Sequence, residues 1–239
     1  MKRYDPFDYL AGIAYPGRGI LMGVSACGCY ATMAYFIMGR SENSRNRVFS
    51  IRDSGIVTEA ADPAKLTDPS LIIYAPVRVL DGRTTIVTNG DQTDTIYTAL
   101  ENGQRFEDAL RTRTFEPDAP NFTPRISAVL HTEGGKASYR MSILKSADAA
   151  GTAPVRAFYE YDAPLAGDGR LLHTYDGDGD PLPSFSGEPV RVALPGTQID
   201  ALASGLWNAL DMQNRVSLFV RMVHLASGET QTRILNQRG

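Results

Sequence analysis

The strongest constraint in this chain is its rhythm: short apolar, β-branched or aromatic runs, paired across clusters of turn-forming residues. Residues 19–24 (GILMGV) and 30–38 (YATMAYFIM) flank Ser25-Ala26-Cys27-Gly28-Cys29, and residues 47–51 and 56–58 flank Asp53-Ser54-Gly55. Residues 71–80 and 84–88 are joined by Asp81-Gly82-Arg83. Each pattern predicts an antiparallel hairpin, and the Asp-Gly step is a strong turn signal because glycine accepts positive φ. Pro76 lies inside one run and moves part of it to an edge or a bulge.

The period then changes. Ile96, Tyr97 and Leu100 fall at helical spacing, predicting a helix over residues 92–101 with Asp91 as N-cap and Asp94 in the first turn. Asn102-Gly103 closes it, and residues 106–113 read as a second helix. Pro117, Pro120 and Pro124 forbid regular structure across residues 115–124 and predict a shaped loop. Strand signals return at 125–131, 137–144, 155–161 and 170–175. A helix over 197–210 and a last hairpin, 216–225 with 230–235, complete the series. The Gly/Asp-rich stretch 167–183 reads as the main exposed loop. Blocks of strands interrupted by helices predict an α+β fold with mostly antiparallel sheets rather than an alternating parallel one. Neither a repeat nor a low-complexity linker breaks the chain, which predicts one domain over residues 1–239.

Composition excludes several function classes. The 24 Lys+Arg and 27 Asp+Glu of the 239 residues give a formal charge of −3, which argues against nucleic acid or a membrane surface as partner. The most apolar stretch, residues 30–38, is far short of the ~20 residues that span a bilayer. Met1-Lys2-Arg3-Tyr4-Asp5-Pro6 leads into no apolar leader, so a cytoplasmic protein is expected. Cys27 and Cys29 lack the partners of a zinc site and read as small residues of a turn. Asp176-Gly177-Asp178-Gly179-Asp180 imitates the start of a calcium loop, but Pro181 and Gly187 occupy the positions that need Gly and Glu. No metal site is predicted. His131, His173 and His224 lie in or beside strands and read as structural.

One segment stands apart. Arg40, Arg45 and Arg47 fall within eight residues, among Ser and Asn, at the exit of an apolar strand. A solvated basic turn and a clamp for phosphate or carboxylate fit this composition equally, the latter because guanidinium pairs bidentately with such groups.

From Tyr15-Pro16-Gly17-Arg18-Gly19 through Gly39-Arg40-Ser41 and Asn46-Arg47, the chain resembles the archaeal-type IMP cyclohydrolases. The resemblance continues through Tyr74 with Val77-Arg78-Val79, then Thr88-Asn89-Gly90-Asp91-Gln92-Thr93-Asp94-Thr95-Ile96, Phe115-Glu116 and Thr123-Pro124-Arg125-Ile126. It covers residues 15–145 in order and is weaker over the last ninety or so. Extra residues between Arg40 and Asn46-Arg47 leave Arg45 and Arg47 both open for one family role.

The resemblance implies a four-layer αββα sandwich similar to N-terminal-nucleophile hydrolases. It also implies an enzyme of the cyclic-amide hydrolase class that closes 5-formamidoimidazole-4-carboxamide ribonucleotide to IMP with loss of water. No cofactor is required, the partner is a small purine nucleotide, and family relatives are oligomers, so a homo-oligomer fits. Carried over residue by residue, Arg47, Tyr74 and Glu116 are the expected catalytic groups. Arg18, Arg40, Arg45, Asn46, Asn89, Gly90 and Arg125 are expected to bind substrate, with Arg18, Arg40 and Arg125 as phosphate candidates. Two rivals remain at this level: a non-catalytic purine-nucleotide-binding module, and an amidohydrolase using an N-terminal nucleophile. The second needs a processed start at Ser25, Cys27 or Cys29, inside the first hairpin.

Overall fold

The computed structural model describes residues 2–66, 73–194, 196 and 198–238. Among these, two sheets carry the fold. Seven strands form a consecutive antiparallel meander: β3 (Arg47–Arg52), β4 (Gly55–Ala60), β5 (Val77–Leu80), β6 (Thr84–Thr88), β7 (Arg125–Glu133), β8 (Lys136–Ser146) and β9 (Pro154–Tyr161). The other sheet is drawn from both ends of the chain. Its order is β11-β10-β1-β2-β12-β13, with β1 (Arg18–Val24), β2 (Tyr30–Met38), β10 (Asp168–His173), β11 (Val190–Ala193), β12 (Arg215–His224) and β13 (Thr230–Asn236).

Every expected hairpin forms. β1 pairs with β2, β3 with β4, β5 with β6, β7 with β8 and β12 with β13, all antiparallel. Asp81 and Gly82 both take positive φ, as the tight turn between β5 and β6 requires. The run that contains Pro76 becomes a strand only at Val77, while the Pro76 carbonyl accepts a hydrogen bond from the Thr88 N–H at 2.9 Å. Leu71 and Ile72 of that predicted run lie outside the described residues, as does Thr197 at the start of the predicted last helix.

Alternation along the strands sorts side chains between three apolar clusters. Ile20, Met22, Met33, Tyr35 and Ile37 of one sheet meet Phe49, Val87, Ile126, Ala128 and Met141 of the other in the space between them. On the far face of the split sheet, Leu21, Ala34, Phe36 and Leu218 pack against α1 (Pro6–Ala11) and α5 (Ile199–Ala209). Outside the meander, Ile86, Val129 and Leu144 meet α3 (Gln92–Glu101) and α4 (Phe106–Arg111). β1 and β2 are thus covered on both faces, which explains why they read as almost continuous apolar runs.

Some elements depart from the sequence expectation. Asp91 precedes α3 but makes no side-chain cap; two arginines draw its carboxylate away, as described below. α1, the single turn α2 (Glu42–Arg45) and β11 were not anticipated, because each is too short to carry a period. The stretch 167–183 is not one exposed loop: β10 occupies its first part, and His173, Thr174 and Tyr175 are buried. Asp176 binds the backbone and hydroxyl of Ser186, while Asp178 pairs with Arg40, so these two carboxylates do not converge. Among the described residues, no group of three or more His, Cys, Asp or Glu is placed to hold a metal, and no helix is long and apolar enough to cross a membrane.

Candidate active site

The site is built at one end of the space between the sheets. Arg18 opens β1, opposite Ile37 and two residues from Ile20, so alternation aims its side chain inward. Its backbone is fixed by Thr174: the Arg18 N–H donates to the Thr174 hydroxyl at 3.1 Å, and the Thr174 N–H donates to the Arg18 carbonyl at 2.9 Å. The preceding Gly17 takes φ +74°, and a Cβ there would lie 2.3 Å from the Thr174 hydroxyl and 2.6 Å from the Tyr175 ring. Only glycine lets the two segments approach this closely.

Arg47 enters from β3, two residues before the inward-facing Phe49, and has no exposed surface. Its Nε donates to the Ser44 carbonyl at 2.8 Å and Nη2 reaches the Met38 carbonyl at 3.4 Å. These contacts hold the guanidinium but do not saturate it. Buried Nη1 of Arg47 and Nε of Arg18 have no hydrogen-bond partner among the described residues. Burial, and then the charge of Arg18, push the Arg47 pKa down. Burial acts on Arg18 in the same sense and is the largest single effect, but Glu116 together with Tyr175, Tyr15 and Tyr74 outweighs it, and the net displacement is upward.

Tyr74 is positioned by Thr58, whose hydroxyl accepts from the Tyr74 N–H at 2.8 Å and donates to its carbonyl at 2.9 Å. The Tyr74 hydroxyl lies 2.7 Å from that of Tyr35, which stacks on Phe49 and is fully enclosed. Either hydroxyl of this pair can donate; donation by Tyr35, whose enclosed proton has no other partner among the described residues, leaves the Tyr74 proton to point onward. Burial pushes the Tyr74 phenol up, against the pull of Arg47 and Arg18.

Glu116 sits in the proline-rich loop, which closes on itself. The Glu116 N–H donates to the Thr123 carbonyl at 2.9 Å, and the Thr123 N–H and hydroxyl both donate to Asp118. Thr123 also bonds Tyr175 at 2.6 Å, tying the loop to the split sheet. Glu116 is 2% exposed, and its carboxylate makes no hydrogen bond within the described residues. Burial pushes its pKa up while Arg18, Arg125 and Arg47 pull it down; the net displacement is upward.

Arg18, Arg47, Tyr74 and Glu116 therefore share one electrostatic neighbourhood: two guanidiniums, one buried carboxyl and a phenol. Tyr15 and Tyr175, stacked with centroids 6.1 Å apart, flank Arg18. Fully buried Arg47 and half-buried Arg18 beside a single buried carboxyl leave positive charge and unpaired N–H donors. Burying a charge without partners is costly, so this arrangement suits an incoming oxyanion or carbonyl oxygen.

The remaining expected residues have visible partners. Arg40 is exposed and pairs with Asp178 at 2.7 Å and the Gly179 carbonyl at 2.9 Å, over the Tyr15 ring. Arg45 bonds the Gly39 carbonyl and Asn214, bracing the turn after β2. Asn46 has its amide on both backbone groups of Asp62, at 2.8 Å each. Asn89 is equally engaged, by the Pro124 carbonyl, the Ile126 N–H and Gln92. Arg125 donates to Asp91 and Gln92 at 2.6 Å each and rests against Gly90, where a Cβ would lie 2.5 Å from its Nη1. Arg113 also pairs with Asp91; together the two arginines hold that carboxyl below its usual range despite partial burial.

Tyr35 and Tyr175 lie outside the motifs read from the sequence, while Tyr15 and Gln92 lie within them without an expected role. For Tyr35 a signal existed, since it shares the inward register of Met33 and Ile37 along β2. Ser25, Cys27 and Cys29, the positions named above for an N-terminal nucleophile, lie beyond the far end of β1 from Arg18.

A family model described as "IMP cyclohydrolase-like protein" matches residues 15–228. The chain is 30% identical over 165 residues to a protein of Methanopyrus kandleri named IMP cyclohydrolase, an alignment covering 67% of this chain and 75% of that relative. A second relative of that name, from Methanosphaera stadtmanae, is 32% identical over 124 residues, covering 50% of this chain and 59% of its own length. With the family's match extending from the Arg18 segment through the whole of β12, the chain belongs to the IMP cyclohydrolase-like family.

Proposed function

We propose that this chain is an IMP cyclohydrolase, closing the pyrimidine ring of 5-formamidoimidazole-4-carboxamide ribonucleotide with release of water. The observation that carries the chemistry is the pair of unpaired donors, Arg18 Nε and Arg47 Nη1, beside Tyr74 and Glu116. In this reaction the carboxamide nitrogen attacks the formyl carbon of the same ring system. The site's task is to fix one rotamer and to stabilise the oxygen on which charge develops.

Tyr74, its hydroxyl anchored by Tyr35, donates to the formyl oxygen. Arg47 Nη1 supplies a second donor to that oxygen or orients the carboxamide. Glu116 takes one proton from the attacking nitrogen and delivers it to the formyl oxygen, giving a hydroxyl; it then takes the proton of the former formamide N–H and delivers it to that hydroxyl, which leaves as water as the ring C=N bond forms. A carboxyl with an upward-displaced pKa suits a group that must both take and give a proton. Arg18 belongs with these reacting groups rather than with the phosphate contacts, because its charge is coupled to Glu116, Tyr74 and Arg47 together. Arg40 then meets the 5′-phosphate by exchanging Asp178 for it, and Arg125 with Gly90 shapes the adjoining wall. Asn46, Asn89 and Arg45 hold backbone and neighbours in place.

We also read the fold as one domain, an αββα sandwich of the N-terminal-nucleophile type acting in the cytoplasm. The three apolar clusters, one between the sheets and one on each outer face, support that layering. The test is direct: pure protein is incubated with the formamido nucleotide and IMP formation is followed by absorbance. Turnover is expected. Tight nucleotide binding without turnover overturns the enzyme and leaves a binding module. Arg40→Ala is expected to raise KM more than it lowers kcat.

A further inference from the structure

The turn joining β1 and β2 holds chemistry that a turn does not need. Residues 25–29 reverse the chain through Gly28 at φ +72°, and the buried Ser25 hydroxyl accepts from the Tyr30 N–H at 3.1 Å. Those features suffice for the reversal. Yet Cys27 and Cys29, the chain's two cysteines, stand there exposed and unlinked.

Their surroundings are unequal. Cys27 Sγ accepts from the Cys29 N–H at 3.2 Å and lies 3.3 Å from the Ser25 hydroxyl. Cys29 Sγ instead donates to the Cys27 carbonyl at 3.4 Å. Donors aimed at a sulfur favour its thiolate, the nucleophilic form. The Ser25 hydroxyl and then Cys29 push the Cys27 thiol down, whereas its neighbour pushes Cys29 up. Gly28 has room to move, since even an added Cβ would find only Ala166 within contact range, at 3.7 Å.

We propose that Cys27-Gly28-Cys29 is a redox-active dithiol that exchanges with small-molecule disulfides of the glutathione class. The Cys27 thiolate attacks one sulfur of the disulfide; a Cys27–S–SR bond forms and RS⁻ leaves with the bonding electron pair. Cys29 then loses its proton, attacks the Cys27 sulfur and expels the second RS⁻. The dithiol gives up two electrons and two protons, and the disulfide RSSR becomes two RSH. Closing a ring across a single glycine is strained, so the product disulfide is readily reduced again. The site is independent of the nucleotide chemistry, being at the opposite end of β1 from Arg18.

The test equilibrates the full chain with mixtures of oxidised and reduced glutathione, quenches with acid, alkylates free thiols and weighs the intact protein. Both alkylation sites are expected to disappear together without a glutathione adduct, and dithiothreitol should restore both. Cys29→Ser should stop at one mixed disulfide on Cys27, and Cys27→Ser should react at least several-fold more slowly than Cys29→Ser. Wild-type protein that keeps both thiols alkylatable, or that accumulates two separate glutathione adducts, overturns the proposal. Equal reactivity of the two single variants overturns the assigned order of attack.

Discussion

The Tyr35–Tyr74 hydroxyl pair offers the sharpest test of how the site is built. Tyr35 has no exposed surface and, among the described residues, one hydroxyl partner 2.7 Å away, whereas the Tyr74 hydroxyl also feels the charges of Arg47, Arg18 and Glu116. Tyr74→Phe therefore strands a buried O–H, at a cost of about 1–3 kcal/mol in stability. Tyr35→Phe removes a donor that Tyr74 can forgo, at about 0.5–1.5 kcal/mol. In the double variant both polar groups are gone and two apolar rings remain, so stability returns close to that of the wild type. The expected coupling is the sum of the two single costs, about 1.5–4.5 kcal/mol, measured by urea denaturation of all four proteins. Turnover should follow a different pattern. Tyr74→Phe removes a donor to the developing oxyanion and should lower kcat by about 10²–10³. Tyr35→Phe, which only frees the Tyr74 ring to wander, should lower it by about tenfold. The double variant should match Tyr74→Phe. A cycle without coupling, or wild-type turnover in Tyr74→Phe, refutes both the hydrogen-bond direction and the role assigned to Tyr74.

Other consequences are equally open to measurement. Because the Glu116 carboxyl is displaced upward, the acid limb of kcat/KM should rise through a pH above the ordinary 4.5 of a glutamate. Glu116→Gln should be slow and lack that limb; a limb that survives the substitution assigns the titration elsewhere. His173 is buried between the Tyr9 hydroxyl and the Tyr175 carbonyl, and burial lowers its pKa from 6.5 to about 4. The unfolded chain then binds a proton that the folded one refuses, so stability should be lost as pH falls from about 6.5 towards 4. That loss amounts to about 3 kcal/mol, and thermal melts of His173→Gln with much the same pH slope would exclude this residue as the cause. Gly90→Ala should displace Arg125 from Asp91 and Gln92 and raise KM severalfold, while Gly82→Ser, in an open turn, should leave KM unchanged.

How much of this could be read from residues alone depends on the range of the interaction. Turns were legible because Asp81-Gly82 or Gly134-Gly135 determine a hairpin by local backbone geometry. The helices α3 and α5 were legible because their apolar stripes are long enough to show a period. α1 was missed although Asp5-Pro6 carries its start, with Asp5 accepting from the N–H groups of Phe7 and Asp8, because only one turn and a half follows. In the site, motif order identified Arg18, Arg47, Tyr74 and Glu116. It could not tell a side chain that faces substrate from one that clasps backbone. Asn46 and Asn89 belong to the same ordered motifs, and their amides' bonds to Asp62, Pro124 and Ile126 appear only in the structure. Tyr175 is more than fifty residues from Thr123, its closest tie, and no local pattern announces such a contact.

The uneven origin of the two sheets also sets an order of assembly. The strands of the meander all fall between residues 47 and 161, with none of the other sheet's described strands among them, so they can pair in succession as the chain leaves the ribosome. β1 and β2 are made first but are flanked in their sheet by β10 and β12, which are made only after the whole meander. The first hairpin must therefore wait, with two nearly all-apolar strands uncovered, until the final third of the chain arrives. Arg18 and Tyr35 ride on that hairpin. A nascent chain stalled before β12 would hold Arg47, Tyr74 and Glu116 without a completed wall opposite them, and catalytic competence would be among the last properties the newly synthesised protein acquires.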